Sequence, residues 1–421
     1  MLAPEGMLRV AHFTDTWLPR RDGVVTALQT LTSVMGDVGH SSVVVVPRHH
    51  RQAADASTLR LPSVRCGIAQ FRLAAWPRER HVDRVAQWAP DLLHVHSPGP
   101  IGLLGIVAAR TLGLPLVLTY HTDLSAYAQA YRLPPHVLHG VLRCYARRLG
   151  MPKPDVVRYR TRQAQRRAVV HAGTQLLYGC ADTVLIPTRA ILERSGLAGM
   201  CPHLQVVPTG VAAPVVQPGA RAGFRRRNGI GPDERVALFV GRLNREKGID
   251  LLAAAFARLR QTLPAARLVL VGAAHDERWL RAQLDGAGVT DRTVRTGELP
   301  PADVAEAYAA ADVFAFPSRT DTQALVIQEA ALAGLPSVLA DPALHRSGPM
   351  SGTALLASGG PDAYAAALAR LLSEPALAAS LGAAARGRAE QNTPQAYGRR
   401  MATVYAETLR RRTSRRIQLS A

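Results

Sequence analysis

The chain has 421 residues, is 48% hydrophobic and carries a net charge of +20 with a pI near 11.0. That length exceeds one ordinary domain and that apolar content fills two cores, which excludes a small disulfide scaffold and a disordered chain. The charge points to contact with an anionic ligand, surface or polymer and says nothing of fold.

The opening "MLAPEGMLRVAHFTD" lacks the basic start and apolar core of a secretory signal, and Met7 offers an alternative start just ahead of a strand at Leu8. Strands and helices then take turns: "LRVAHF", "VVTALQTLTSVMGDVGH", "SSVVVVP", "DLLHVH", "IGLLGIVAARTLG", "LPLVLTY". Such alternation predicts a parallel sheet covered by helices on both faces. The most apolar stretch, "IGLLGIVAARTLGLPLVLTY", is broken by Arg110 and Pro115 into helix, turn and strand, each too short to span a bilayer. After "DTVLIPT" and "LQVVPTGV" the stretch "AAPVVQPGARAG" has the composition of a linker and places a domain boundary near Val215. A second alternating series follows, from "RVALFVG" and "GIDLLAAAFARLRQ" through "ARLVLVG" to "DVFAFP". The expected organisation is two doubly wound α/β domains, 1–215 and 216–395, with a basic helix or tail, 396–421, that returns to the first. Ligands of such sheets bind at the carboxyl ends of the strands. Cys66, Cys144, Cys180 and Cys201 have no paired spacing, so neither a disulfide framework nor a zinc site is expected, which fits a reducing cytoplasm.

Strand-to-helix turns carry the polar chemistry. "FTDTWLPRRDGVVTAL" (13–28) puts Gly23 at a helix start, where the missing side chain lets a phosphate or sugar lie against backbone amides. It is not a G-x-G-x-x-G fingerprint, which argues against a dinucleotide oxidoreductase. "VLTYHTD" (117–123) places His121 at a strand end beside the strand of His94 and His96, so three histidines are expected at one cleft edge. In "FVGRLNREKGID" (239–250), Arg242 and Lys247 flank a turn where both cations reach one diphosphate, and Gly241 and Gly248 admit the backbone. Only two lysines, Lys153 and Lys247, stand among 51 Lys and Arg, so the survival of Lys247 in so Arg-rich a chain points to function.

In "ADVFAFPSRTDTQALVIQEAALAG" a buried strand ends at Pro317 and a helix ends at Gly334, with Asp321 and Glu329 between them. Eight residues apart, the two acids lie about 80° around a helical wheel. Taken alone they fit an N-cap and a solvated helix residue as well as two holders of one elongated ligand. No D-x-D ends a strand and no H-x-x-x-H or paired-Cys set occurs, so neither a metal nor another cofactor is expected.

Together these stretches resemble the retaining glycosyltransferases of family 4 over nearly the whole chain, on "TDTWLPRRDGVV", "DLLHVHSPGPIGLLG", "LTYHTD", "VVPTGV", "VGRLNREKGID" and "ADVFAFPSRTDTQALVIQEAALAGLP". Within that family "SRTDT" and "HSPGP" look most like the bacterial GDP-mannose-dependent α-mannosyltransferases and related glycolipid synthases. The resemblance implies the GT-B fold, two Rossmann-like doubly wound domains facing across a cleft, the first on the acceptor side and the second on the nucleotide-sugar side. It implies that Asp321 holds the donor sugar's hydroxyls, Glu329 the ribose, and Arg242 with Lys247 the diphosphate. His121 then stands beside the reacting carbon, Gly23 under the phosphates, and backbone at Gly297 to Leu299 against the base. His121 and Asp321 are the residues nearest the chemistry. Gln323 and Ala324 replace an aromatic and a glycine of the family, and the 341–352 loop replaces a glycine-rich turn, which implies an altered donor or reduced activity.

For the acceptor, "RCYARRLGMPKPDVVRYRTRQAQRRAVV" (143–170) is strongly basic, with Arg158, Arg162 and Arg166 expected on one helical face, and "LRRRTSRR" adds a second cluster. Both fit solvated faces of an Arg-rich chain; both also fit anionic lipid, at roughly 1 kcal/mol per charge near the bilayer. Aromatics are 5% of the chain and do not interleave with these arginines, which disfavours nucleic acid. The expectation is metal-independent, retaining transfer of a hexose, mannose from GDP-mannose, to a lipid or lipid-linked acceptor by a cytoplasmic protein peripheral to the inner face of the plasma membrane. The alternatives are a UDP-sugar-dependent glycolipid synthase and a relative of reduced activity that binds anionic lipid or nucleic acid.

Overall fold

The computed structural model describes residues 6–20, 22–53, 55–66, 72–130, 132–197, 199, 203–274, 276–348 and 350–420; Cys201 lies outside them. Two compact units form, one from Met1–Gly210 with Pro394–Ala421 and the other from Val211–Thr393. The passage between them falls a few residues before Val215 because Val211 is already buried and its amide donates to the Asn392 carbonyl at 3.1 Å.

The strands of the first unit are β1 (Arg9–Phe13), β2 (Ser41–Pro47), β3 (Thr58–Leu61), β4 (Ser63–Arg65), β5 (Arg72–Ala74), β6 (Leu92–Val95), β7 (Leu116–Thr119), β8 (Thr183–Ile186) and β9 (Leu204–Val206). Seven of them make one parallel sheet in the order β3-β2-β1-β6-β7-β8-β9, and β4 pairs with β5 as an antiparallel hairpin. The run "SSVVVVP" shows why the sheet is apolar throughout: Val43 and Val45 enter one core layer, Val44 and Val46 the other. The same two-residue period sends Ala11, Phe13, Leu93, Val95, Leu116 and Leu118 to the first layer, with helix Pro100–Leu112. It sends Val10, Leu92, Val117 and Leu185 to the second, where helix Gly23–Asp37 and the last helix, Pro394–Ser420, cover them through Leu28, Leu31, Met35, Tyr397, Met401 and Tyr405.

Two arginines of the C-terminal cluster take part in this docking. Arg412 pairs with Asp182 at 3.2 Å and Arg411 donates to the Thr183 hydroxyl at 3.0 Å, so that stretch is not simply a solvated basic tail.

The second unit holds β10 (Arg235–Val240), β11 (Ala266–Val271), β12 (Thr293–Gly297), β13 (Val313–Phe316), β14 (Ser337–Leu339) and β15 (Leu355–Leu356), all parallel in the order β12-β11-β10-β13-β14-β15. Strand order reverses between β10 and β13 here and between β1 and β6 in the first unit, the switch points where doubly wound sheets open a crevice. No helix among the described residues is long and apolar enough to cross a membrane.

Candidate active site

At the switch point of the second unit the loops after β10 and β13 are lashed together. Asn244 caps a single 3-10 turn, Arg245–Lys247, by accepting the Lys247 amide at 3.1 Å. Gly248 then turns with φ +72°; a Cβ there would stand 2.8 Å from the Pro317 carbonyl, so only glycine lets the two loops close. Thr320 donates to the Glu246 carbonyl at 3.3 Å.

This closure sets four charges in line. Arg242 donates to both oxygens of Glu246 at 3.1 and 3.2 Å, Glu246 lies 3.8 Å from the Lys247 ammonium, and that ammonium donates to Asp321 Oδ1 at 2.5 Å. Burial pushes the Asp321 carboxyl up, but Lys247, a hydrogen bond from Ser318 and the charge of Arg242 outweigh it and hold the group below its usual value. Arg242, Lys247 and Asp321 therefore meet. Glu246 belongs with them and was missed by the sequence reading, although its place four residues after Arg242 on a turn was a signal.

Asp321 and Glu329 do not share a helical wheel. The helix is Leu325–Leu332, and residues 321–324 lie outside it, so the loop rather than an angular period sets Asp321. Glu329 is half-buried, not solvated; Tyr308, on helix Pro301–Ala310, donates to its Oε2 at 2.8 Å. Burial raises the Glu329 carboxyl and the tyrosine hydrogen bond offsets part of the rise. Tyr308 gave no signal within an alanine-rich helix.

Ala324 is the N-cap of this helix with φ +58°, which explains why glycine suits the position: a side chain in the left-handed region costs about 1 kcal/mol. Gln323 is buried, and the 341–352 segment folds as a short helix, Pro342–Ser347, capped by Asp341. Its Leu344 and Met350 line one small pocket with Gln323, Ala324 and Ile327, so the segment lies against the start of the Leu325–Leu332 helix. Gly297 ends β12 at φ +72° and its carbonyl accepts the Gly272 amide at 2.8 Å; Leu299 follows, half-buried.

In the first unit Gly23 begins its helix as expected, and a Cβ there meets nothing within 4 Å. The amides just inside the helix are already engaged: Asp22 Oδ1 accepts from Val24 and Val25 at 3.1 Å each, while Oδ2 accepts from Arg20 and Thr16 at 2.8 Å. Asp22 also acts on His121. Burial lowers that imidazole to about 4 even though the Asp22 carboxylate pulls it upward, so His121 is neutral at physiological pH.

The three expected histidines cluster, but not all at an edge. His94 is fully buried under the last helix, bonded through Nδ1 to the Tyr405 hydroxyl at 2.8 Å and through Nε2 to Thr119 at 2.7 Å. His96 is buried between His121, at 3.1 Å, and a fourth ring, His12, at 3.0 Å. His12, unremarked inside "LRVAHF", is a polar side chain on a strand position that faces the second core layer. Among the described residues His12, His94 and His96 are the one set of three donor groups within metal-ligand reach, yet all six of their ring nitrogens already face hydrogen-bond partners.

The proposed basic face needs correction. Helix Arg162–Tyr178 starts only at Arg162, after Pro152 and Pro154 and with Thr161 as N-cap, so Arg158 sits in chain without regular secondary structure, off any helical face. Arg166 is tied by a 2.7 Å bond to the Leu133 carbonyl. Exposed apolar side chains accompany these arginines instead: Val137 (50% exposed) and Val141 (46%) on helix Pro135–Arg148, then Val157 (65%) and Tyr159 (51%).

Comparison with known proteins finds relatives over most of the chain. Residues 21–213 match the model for Glycosyltransferase Family 4, and residues 221–388 that for Glycosyl transferases group 1. The chain is 30% identical to a GDP-mannose-dependent alpha-mannosyltransferase of Mycolicibacterium smegmatis over 342 residues, 79% of this chain and 80% of the relative. It is 26% identical to an alpha-monoglucosyldiacylglycerol synthase of Streptococcus pneumoniae over 339 residues, 79% of this chain and 70% of the relative. Its fold matches that of Anabaena HepE, solved in complex with UDP and glucose, with a TM-score of 0.68 over 95% of this chain and 100% of the other at 18% identity.

Proposed function

We propose, from the premise that this chain is a glycosyltransferase of family 4 with the GT-B fold, that it transfers a hexose with retention from a sugar nucleotide, GDP-mannose, to a lipid or lipid-linked acceptor. The observation that carries the reading is the line of charges Arg242, Glu246, Lys247 and Asp321 at a strand-order switch point. Two cations held close together by two carboxylates offer a diphosphate charge-assisted hydrogen bonds. GDP-mannose as donor rests on likeness to relatives of that named specificity, at 30% and 29% identity.

In this reading Lys247 and Arg242 turn toward the diphosphate as the sugar leaves, and Asp321, relieved of part of its ion pair, accepts hydrogen bonds from sugar hydroxyls. The start of the Leu325–Leu332 helix adds its partial positive charge. Glu329, steadied by Tyr308, holds the ribose. Backbone near Gly297 to Leu299 meets the base, and Gly23 gives the phosphates room. His121, neutral, stands beside the reacting carbon. Retention follows from front-face displacement, in which the departing diphosphate takes the acceptor proton. The cationic charge that stabilises the anionic leaving group comes from Arg242 and Lys247, so the proposal needs no metal.

A second reading keeps the chemistry and changes the donor to a UDP-sugar with a diacylglycerol acceptor, favoured by the 26% identity to the monoglucosyldiacylglycerol synthase. Membrane contact at the inner face of a plasma membrane is part of both, through exposed Val137, Val141, Val157 and Tyr159 among Arg143, Arg147 and Arg158. The test is thermal shift against GDP-mannose, UDP-glucose and other sugar nucleotides. A donor at about 100 times its Kd adds about 2.7 kcal/mol of stability. Glu329→Gln should weaken that shift, and the absence of any shift across the panel overturns the donor-binding reading.

A further inference from the structure

One of the four charges at the switch point of the second unit has no task in the proposed transfer. Asp321 meets sugar hydroxyls and Arg242 with Lys247 the diphosphate, whereas Glu246 pairs only with the two cations. The turn fixes its place, because Asn244 caps Arg245–Lys247 and so sets Glu246 between the cations in sequence and in space. Its carboxylate accepts from Arg242 Nη2 at 3.1 and 3.2 Å and lies 3.8 Å from Lys247 Nζ.

These distances bound what an anion meets. A phosphate oxygen that accepts from Arg242 Nη2 or Lys247 Nζ stands about 2.8 Å from that nitrogen, so it comes within about 7 Å of the Glu246 carboxylate. With 11% of the Glu246 side chain exposed, water screens its charge only in part. At that separation and degree of screening, repulsion between two unit charges shifts a binding constant by roughly tenfold.

Ligands of different charge feel that repulsion unequally. Arg242, Glu246, Lys247 and Asp321 sum to zero, so the two cations act through hydrogen bonds at close range and not through a net positive site. The diphosphate of a sugar nucleotide carries two negative charges. Once the sugar has left, the terminal phosphate ionises a second time with a pKa of about 6, and the nucleoside diphosphate carries about three charges at neutral pH. Glu246 therefore opposes the leaving nucleoside diphosphate more than the donor.

We infer that Glu246 is a specificity-determining residue of the donor site, whose charge weakens the hold on the free nucleoside diphosphate more than that on the sugar nucleotide and so favours exchange of product for donor. The inference rests on the diphosphate-binding role proposed for Arg242 and Lys247.

Isothermal titration calorimetry of the full chain and of Glu246→Gln, with GDP, UDP, GDP-mannose and UDP-glucose, tests it. Glutamine keeps the length of the side chain and an oxygen that accepts from Arg242, and removes the charge. E246Q should bind the nucleoside diphosphate that the parent prefers about tenfold more tightly, and the matching sugar nucleotide with a smaller gain. Glu246→Ala removes the bond together with the charge and should move the ratio of the two Kd values in the same direction, so the outcome does not hang on one replacement. Unchanged or weaker nucleoside diphosphate binding in both variants, or an equal gain for both ligands, overturns the inference, while binding by the parent leaves the proposed function standing. A parent that binds neither GDP nor UDP overturns the proposed function and this inference with it.

Discussion

The clustered histidines make stability fall on mild acidification, by an amount the structure allows to be worked out. His12 is lowered to about 3 and His121 to about 4 by burial, and His94 and His96 move the same way. Unfolded histidines titrate near 6.5, so between that value and the folded ones the unfolded chain binds protons that the folded chain refuses. The contribution is fully present above about pH 6.5 and is lost as pH falls toward the folded values. At pH 5 each of His12 and His121 costs about 2 kcal/mol, roughly one and a half pH units at 1.36 kcal/mol per unit. Half-buried Asp15 and Glu329 are raised and so act with the opposite sign, gaining stability as pH falls. His12→Gln isolates the histidine contribution, because those carboxyls are common to parent and variant. Urea denaturation at pH 7.5 and pH 5.0 should show the parent losing about 2 kcal/mol more than the variant. Equal losses would refute the reasoning that His12 is kept uncharged in the fold.

Lys247→Ala should lower turnover about a hundredfold, the effect of losing one strong transition-state donor, and should also destabilise the fold by about 3 kcal/mol because Asp321 is left charged without its ion pair. Lys247→Ala with Asp321→Asn should recover much of the melting temperature and none of the turnover; recovery of both would make the pair purely structural. Ala324→Gly should stabilise by about 0.5–1 kcal/mol through relief of the left-handed alanine, a gain read from urea midpoints and contradicted by any loss. Val137→Ser with Val141→Ser should weaken sedimentation with vesicles of anionic phospholipid at physiological salt while leaving the donor thermal shift unchanged. Unaltered sedimentation would remove the helix Pro135–Arg148 from the membrane proposal.

The parallel sheets were legible because runs such as "SSVVVVP" and "RVALFV" are apolar on both faces and end at Pro or Gly. The short β3, β4 and β5 were not, since "TLRL", "SVR" and "RLA" bury few side chains and carry arginines. Of the site, Arg242 and Lys247 stood out by spacing and by the rarity of lysine. Their partners needed the fold: Lys247 meets Asp321 across 74 residues only because β10 and β13 are neighbours at the switch point. Helical spacing misled at Arg158 and at Asp321, where proline and a left-handed Ala324 keep the preceding chain out of the helix. His12 carried a faint sign, a polar residue in an apolar strand, whose meaning appears only when register sets it against His94 and His96.

The most direct measurement of the central claim incubates the chain with GDP-mannose or UDP-glucose and vesicles containing diacylglycerol or phosphatidylinositol, then determines the anomeric configuration of any glycolipid formed. The account predicts an α-linked product from the α-linked donor, formed at full rate in excess chelator and lost in Lys247→Ala. A β-linked product, or transfer abolished by the chelator and restored by divalent metal, would contradict it.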